Sequence, residues 1–305
     1  MNYKLFLFVA ILLFTACNGG GDSAEAAIAD LEKQLEETND PQLAEQLVEQ
    51  YKVYIKEHPE DADVNSRYLY RAGSIMYRMN RYTGATDYFS QAIRDYYDTE
   101  TTPKAAMFLG MLYDEQLRNP EAATTIFQGM VKAFPDYEEI EKAKAKIPAD
   151  APDINARLED MRVHMFNDST QRIEYRVAND FINSCELHAM ILPNDAQSPI
   201  LLHKAGEVAR SIRAYNKALG IYDWIYTKYP DYEKAPQALF LQAFTLDNDL
   251  KRYDDARVLY EDFLKKYPND DFADDTQFLL ENLGKDDEDI INSFDDGGKA
   301  KTESE

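Results

Sequence analysis

What this chain lacks narrows its chemistry before any motif is considered. Its 305 residues include only four histidines, two cysteines and one tryptophan. There is no Cys-x-x-Cys and no His-Glu-x-x-His, and Cys17 and Cys185 stand far apart, so no metal is expected. Basic residues are also scarce: 33 Lys and Arg face 56 Asp and Glu, a formal charge of −23. Such a chain repels nucleic-acid phosphates and anionic headgroups, which removes nucleic acid from the expected partners. Past the first 16 residues no apolar run approaches the ~20 residues a membrane-spanning helix needs. The glycine-rich "NGGGD" has no strand before it and no Gly-Lys-Ser/Thr after it, so it is not a phosphate loop. "YPNDDFADD" (267–275) lacks the alternating ligand spacing and the glycine of a calcium loop; it reads as a turn with N-capping Asp. Paired carboxylates on helices this acidic read as solvated faces. No cofactor and no catalytic residue are expected, and the chain is not expected to be an enzyme.

The chain is rich, by contrast, in aromatic residues, 21 Tyr and 15 Phe within a 45% hydrophobic composition. That supports a real core and supplies helix-seam fillers and interface anchors. The beginning, "MNYKLFLFVAILLFTACNGGGD", has Lys4 as a positive n-region, an apolar run from Leu5 to Phe14, and small residues before Cys17. This is the pattern of a secretory signal. Ending in small residues and a Cys, it resembles the lipobox of bacterial lipoproteins, with Phe14 where Leu is usual. The resemblance implies cleavage before Cys17 and a lipid on that residue. A lipid there leaves Cys185, in a largely apolar helical run, without an intramolecular partner, so it reads as a buried thiol.

Internal repetition organises the rest. Pro230 lies 38 residues before Pro268, and Pro59 and Pro135 lie two such periods apart, with Tyr97 midway. Twelve residues before four of these landmarks stand Ala85, Ala123, Ala218 and Ala256, each followed four residues later by Phe89, Phe127, Tyr222 or Tyr260. Three residues before each Ala come Tyr82, Pro120, Tyr215 and Tyr253; twelve before come Gly73, Met111, Gly206 and Phe244. Each unit then reads as two helices. The second carries one apolar stripe, such as Ala256, Leu259, Tyr260, Phe263 and Leu264, and ends at proline. The small residues mark close helix approach and the aromatic is expected between units. Thr102-Pro103 and Ser198-Pro199 read as an N-cap hydroxyl with Pro at N1 of a first helix.

These small, Tyr, Ala, aromatic and Pro positions resemble tetratricopeptide repeats, over roughly residues 41–285, although the period exceeds the usual 34 and Trp is replaced by Leu69, Met107, Leu202 and Phe240. The resemblance, to lipoproteins of the bacterial cell envelope that carry such repeats, implies an all-α fold. It is a right-handed superhelical solenoid of stacked antiparallel helix pairs, about six to seven of them, because one pair cannot bury its apolar face alone. The expected organisation is a signal peptide (1–16), a flexible tether (17–26), an N-terminal lobe (27–135), an irregular helical insertion (136–195), a C-terminal lobe with a capping helix (196–294) and a disordered acidic tail (295–305). The Pro/Ala/Asp stretch at 148–153 reads as a hinge. Ile28, Leu31 and Leu35 share a heptad spacing and are expected to pack on the first unit.

Binding is expected on the first helices, at Arg67, Tyr70, Tyr77, Phe108, His203, Glu207 and Arg210, a mixture of aromatic and charged side chains suited to peptide contact. Three readings remain open. The leading one is a non-catalytic protein-interaction scaffold of the bacterial envelope, lipid-anchored on the periplasmic face of the outer membrane, within an outer-membrane assembly or cell-division coordination complex. The second is a periplasmic enzyme or solute-binding protein with a pocket in 136–195. The third is a subunit that self-associates through its seams.

Overall fold

The computed structural model describes residues 20–167 and 172–285. Cys17, the leader before it and the segments from 286 onward lie outside the described residues. The chain divides into two compact units, Met1–Ala105 and Ala106–Glu305. The Pro/Ala/Asp stretch at 148–153 falls inside the second.

The first unit holds α1 (Gly20–Thr38), α2 (Pro41–Glu57), α3 (Ala62–Arg78), α4 (Tyr82–Asp95) and the start of α5 (Thr101–Met111). The second holds the rest of α5, a π-helical turn (Leu112–Gln116), α6 (Pro120–Ala133), α7 (Ile140–Lys146) and α8 (Ile154–His164). It continues with α9 (Tyr175–Ile191), α10 (Gln197–Ser211), α11 (Tyr215–Lys228), α12 (Ala235–Phe244), a second π-helical turn (Thr245–Asp249), α13 (Tyr253–Lys266) and α14 (Ala273–Glu281). The described residues are thus all-α in class, with consecutive helices packed as antiparallel pairs. Six pairs form, with α7 and α14 outside them. A two-residue ribbon is the exception: β1 (Phe166–Asn167) pairs antiparallel with β2 (Arg172–Ile173) between α8 and α9.

Local chemistry explains the hairpin of helices. Five of the six first helices, all but α8, are followed by a non-glycine residue in the left-handed region: Asn39, Asn80, Arg118, Arg213 or Lys251. The next amide then turns back onto the helix, as Arg81 N donates to Met76 O at 2.9 Å and Ala214 N to Ala209 O at 2.8 Å. The second helix begins two residues after the turn, at 41, 82, 120, 215 or 253. Asp40 and Asn119 cap two of these starts, with Pro41 and Pro120 at the first helical position. The second helices end as expected: His58, Phe134, Leu192, Tyr229 and Tyr267 each donate one last amide four residues back, and the following proline stops the helix.

Within a pair, glycine faces an aromatic ring. A Cβ added to Gly73 would stand 2.8 Å from Phe89; added to Gly110 or Gly206 it would stand 2.5 Å from Phe127 or Tyr222. The aromatic therefore closes its own pair, not the space between units as the sequence reading placed it. The small-residue positions also need correction. Gly110, not Met111, meets Phe127, because the π-helical turn after α5 adds one residue before the second helix. The same offset in α12 puts Ala243, fully buried in the core with Tyr260, in that role instead of Phe244. In α9 the sizes are exchanged. Counted back from Pro193, Phe181 stands where other pairs have Ala, and Cys185 stands where they have the aromatic. Cys185 is completely buried, and burial pushes its thiol far above the usual range.

Other expectations change at helix starts. Thr102 and Ser198 are not N-caps; their helices already begin at Thr101 and Gln197. Their hydroxyls instead donate backward, to Tyr96 O at 3.1 Å and Leu192 O at 2.7 Å, tying the helix to the loop that precedes it. Residues 20–26, expected as tether, are helical. Ala24, Ala26 and Ala27 favour helix, and Glu25 is held by the Tyr54 hydroxyl at 3.0 Å. Ile28 and Leu35 are buried with Leu47, Tyr51 and Tyr68, so the heptad packs on the following helices. Tyr253, expected in the packing set, is 37% exposed at the start of α13.

The glycine seat yields a paired prediction. Gly206→Ala is expected to destabilise the fold by about 1–3 kcal/mol, since the ring of Tyr222 cannot yield without moving a helix. Gly220, in the middle of α11, has nothing within 4 Å of an added Cβ. Gly220→Ala is expected to stabilise by about 0.5–1 kcal/mol through helix propensity. Urea denaturation midpoints of the two variants check both signs.

Candidate binding clefts

The first helices carry a cleft in each unit. In the first, a cleft of about 440 Å³ lies between α3 and the start of α5, lined by Asp63, Arg67, Tyr70, Arg71, Thr101 and Lys104, among others. The buried Ser66 hydroxyl donates to Thr101 Oγ1 at 3.2 Å and fixes this spacing. Arg71 is held by Glu32. Arg67 and Lys104 make no salt bridge among the described residues, which leaves two cations facing the cleft of an acidic chain.

In the second unit a cleft of about 390 Å³ lies between α10 and α12. Glu207 and Arg210 come from α10, Gln237 and Leu241 from α12, Asp249 from the π-helical turn, and Tyr222 from α11. Arg210 Nε donates to Asp249 Oδ2 at 2.7 Å, and its guanidinium lies 4.8 Å above the ring of Phe244. His203 is buried; its Nε2 stands 3.0 Å from Gln237 Oε1 and its Nδ1 3.8 Å from a Glu207 oxygen.

The expected groove residues thus divide. Arg67 and Tyr70 meet in one cleft, and Glu207 and Arg210 in the other, with His203 behind it. Tyr77 instead packs against Tyr82, ring centroids 5.8 Å apart, at the turn joining α3 to α4. Phe108 is an exposed side chain of α5. Sequence reasoning missed Lys104, Gln237, Asp249 and the Tyr222 hydroxyl. Gln237 was recoverable: it matches Ile200 once the one-residue shift of the π-helical turn is applied. Asp249 was not, because its orientation depends on that turn.

The tyrosine hydroxyls differ in a way that marks the second cleft. Tyr51, Tyr222 and Tyr260 occupy the same place, eight residues before the proline that ends each second helix. Tyr51 donates to Glu32 at 2.6 Å, and Tyr260 to Asp247 at 3.3 Å. The Tyr222 hydroxyl is buried with no hydrogen-bond partner. Burial raises all three phenols well above their usual range; around Tyr222, Glu207 and Asp249 add to the rise and Arg210 opposes it.

Two further features lie elsewhere. A third cleft, about 490 Å³, runs between the second helices α2 and α4 over Ile55, Leu69, Met76, Gly84 and Tyr88. At the turn after α2, His58, Glu60 and Asp61 bring potential ligand atoms within 4.8 Å of one another. Asp61 there also accepts from the Tyr54 hydroxyl at 3.0 Å. In the 136–195 segment the apolar side chains Ile154, Leu158, Met161, Phe181 and Ile182 join one core with α10 and α11, and none of the three clefts takes a lining residue from it. Arg157, itself buried, pairs with Glu121 at 2.8 Å and donates to Thr125 and Gln128, fastening α8 to α6.

Comparison with known proteins finds one family over two stretches of the chain. The profile of the Tetratricopeptide repeat matches residues 67–98 and 237–270, which fall on α3–α4 and on α12–α13. No curated protein matches the sequence. Among solved structures, the chain is similar to the TPR2AB domain of yeast Sti1 in its complex with pHSP90, at 14% identity and TM-score 0.33, over 86% of this chain and 98% of that one. It is also similar to a tetratricopeptide repeat protein from Parabacteroides merdae, at 14% identity and TM-score 0.30, over 84% of this chain and all of that one.

Two predictions follow from the buried polar groups. Tyr222→Phe is expected to leave the urea midpoint unchanged or raise it, because Phe occupies this place in two other pairs and an unpaired buried hydroxyl is removed. Tyr260→Phe is expected to cost about 1–2 kcal/mol by stripping Asp247 of its donor. The second concerns acid. Burial holds His188 and His203 below the usual imidazole value. The unfolded chain takes up protons at these sites from about pH 6.5 downward while the folded chain does not. Stability is therefore full above that pH and declines as pH falls toward the folded-state values. Urea midpoints at pH 7.5 and 5.5 are expected to fall less in His188→Leu than in the native chain.

Proposed function

We propose that this chain, a tetratricopeptide-repeat protein, works as a non-catalytic scaffold that holds other envelope proteins on the first-helix clefts of its two units. The observation that carries this reading is the pairing of sequence-expected groove residues with real clefts: Arg67 and Tyr70 in one, Glu207 and Arg210 in the other. Aromatic and arginine side chains around a concave surface are what polypeptide recognition uses. The cations Arg67 and Lys104 suit an acidic stretch of a partner, and the chain's formal charge of −23 disfavours nucleic acid.

The lipobox-like stretch ending at Cys17 supports a lipid tether in the bacterial envelope, most readily on the periplasmic face of the outer membrane. Within that setting, an outer-membrane assembly or a cell-division coordination complex is the finer reading. An enzyme or solute-binding protein with its pocket in 136–195 is disfavoured, because that segment spends its apolar side chains on helix packing.

The test is photocrosslinking in cells from a reactive side chain placed at Ile200, which is exposed on α10 beside the second cleft. Discrete partner proteins are expected, and their yield is expected to drop in Glu207→Lys, which reverses a charge of that cleft. Capture of no protein above background would remove the scaffold reading. A Cys17→Ser form that still fractionates wholly with membranes would remove the tether.

A further inference from the structure

We propose that the cleft between α10 and α12 is a seat for a neutral amide of a bound polypeptide, with the Tyr222 hydroxyl as its donor. The inference rests on the scaffold reading and deepens it by naming the group recognised.

Three tyrosines stand at one place in three helix pairs, and two of them have a carboxylate acceptor supplied from within their own pair. Tyr222 has none, although its side chain is completely buried and it lines the cleft. The place does not require a hydroxyl, because Phe89 and Phe127 fill it in two other pairs. A buried hydroxyl without a partner costs stability that phenylalanine would spare. Its surroundings are polar and mixed in sign: Glu207, the Arg210–Asp249 pair and Gln237, whose carbonyl oxygen is already engaged by His203.

This lining selects the ligand by elimination. A carboxylate would satisfy Tyr222 but would face Glu207 and Asp249. An ammonium would suit those acids but has no lone pair to accept the Tyr222 proton. An amide has both halves, a carbonyl to accept from Tyr222 and an N–H to donate toward Glu207. The hydroxyl lies below the surface that water reaches, but Glu207 is exposed and Arg210 half-buried. In this proposal these two side chains turn aside to admit the amide.

The probes are N-acetylglutamine methylamide, N-acetylalanine methylamide and N-acetylglutamate methylamide, titrated into the full chain with leucine methyl groups labelled for NMR. Leu241 lines the cleft and reports on it. The glutamine compound is expected to shift the Leu241 methyls with millimolar affinity, the glutamate compound much less, and Tyr222→Phe to weaken binding by about tenfold. An alanine compound that binds as well as the glutamine one assigns the seat to backbone amides; a weaker one assigns it to Asn or Gln side chains. No Leu241 shift with either neutral compound, equal binding by the glutamate and glutamine compounds where the alanine one binds more weakly, or unchanged binding in Tyr222→Phe overturns the proposal. Partners captured in cells alongside such a failure would leave the scaffold standing and remove only this seat.

Discussion

The contact on which the rest depends is an aromatic ring laid on a glycine. It fixes how near the two helices of a pair can come, at Gly73 with Phe89, Gly110 with Phe127 and Gly206 with Tyr222. Side chains at this contact interlock with too little room for one methyl group, so the spacing inside a pair is not adjustable. Interiors this close-packed transmit position. Once the ring is seated, the outward faces of the first helix are set, and with them the side chains that line each cleft. The tyrosines add a second layer: the hydroxyls of Tyr51 and Tyr260 reach carboxylates of the preceding helix and of its π-helical turn, Glu32 and Asp247, and that of Tyr222 reaches none. At Tyr222, packing and cleft lining therefore meet in one residue.

Much of this was legible in the primary structure, and the reason is physical. A proline stops a helix that runs up to it, so the ends of the second helices before Pro59, Pro135, Pro193, Pro230 and Pro268 could be read directly. The Ala and aromatic pattern follows from a helix needing one apolar face, so Ala85 with Phe89 and Ala218 with Tyr222 announced themselves. The failures share a different cause. A π-helical turn leaves no mark in composition, and it moved the small partner from Met111 to Gly110 and from Phe244 to Ala243. Thr102 and Ser198 looked like caps because a hydroxyl before proline usually is one; the loop behind them offered a better acceptor. Tyr77 sits where a groove residue should, yet the nearby Tyr82 ring claims it. Which hydroxyl lacks a partner depends on side chains from elsewhere in the fold, and no single stretch of sequence carries that.

The polar interior shows how little slack the second unit has. Arg157 is buried and still finds Glu121, Thr125 and Gln128, so α8 cannot slide along α6 without stranding a charge. The exchanged pair Phe181 and Cys185 keeps the volume of α9 roughly constant while reversing which end is large. That helix consequently presents its neighbours with a different surface from the other second helices. Repeats that look interchangeable in pattern are individually keyed.

The π-helical turn after α12 has a consequence for the cleft itself. One extra residue in a helix rotates everything beyond it by about 100° relative to what precedes it. Asp247 and Asp249 belong to that turn, and there they meet Tyr260 and Arg210. In an uninterrupted α-helix the same two carboxylates would point along other bearings. A single inserted residue thus does what a substitution cannot: it re-aims existing side chains without altering any of them. Variation among such repeats can accordingly proceed by insertion and phase, with the residue alphabet left as it is.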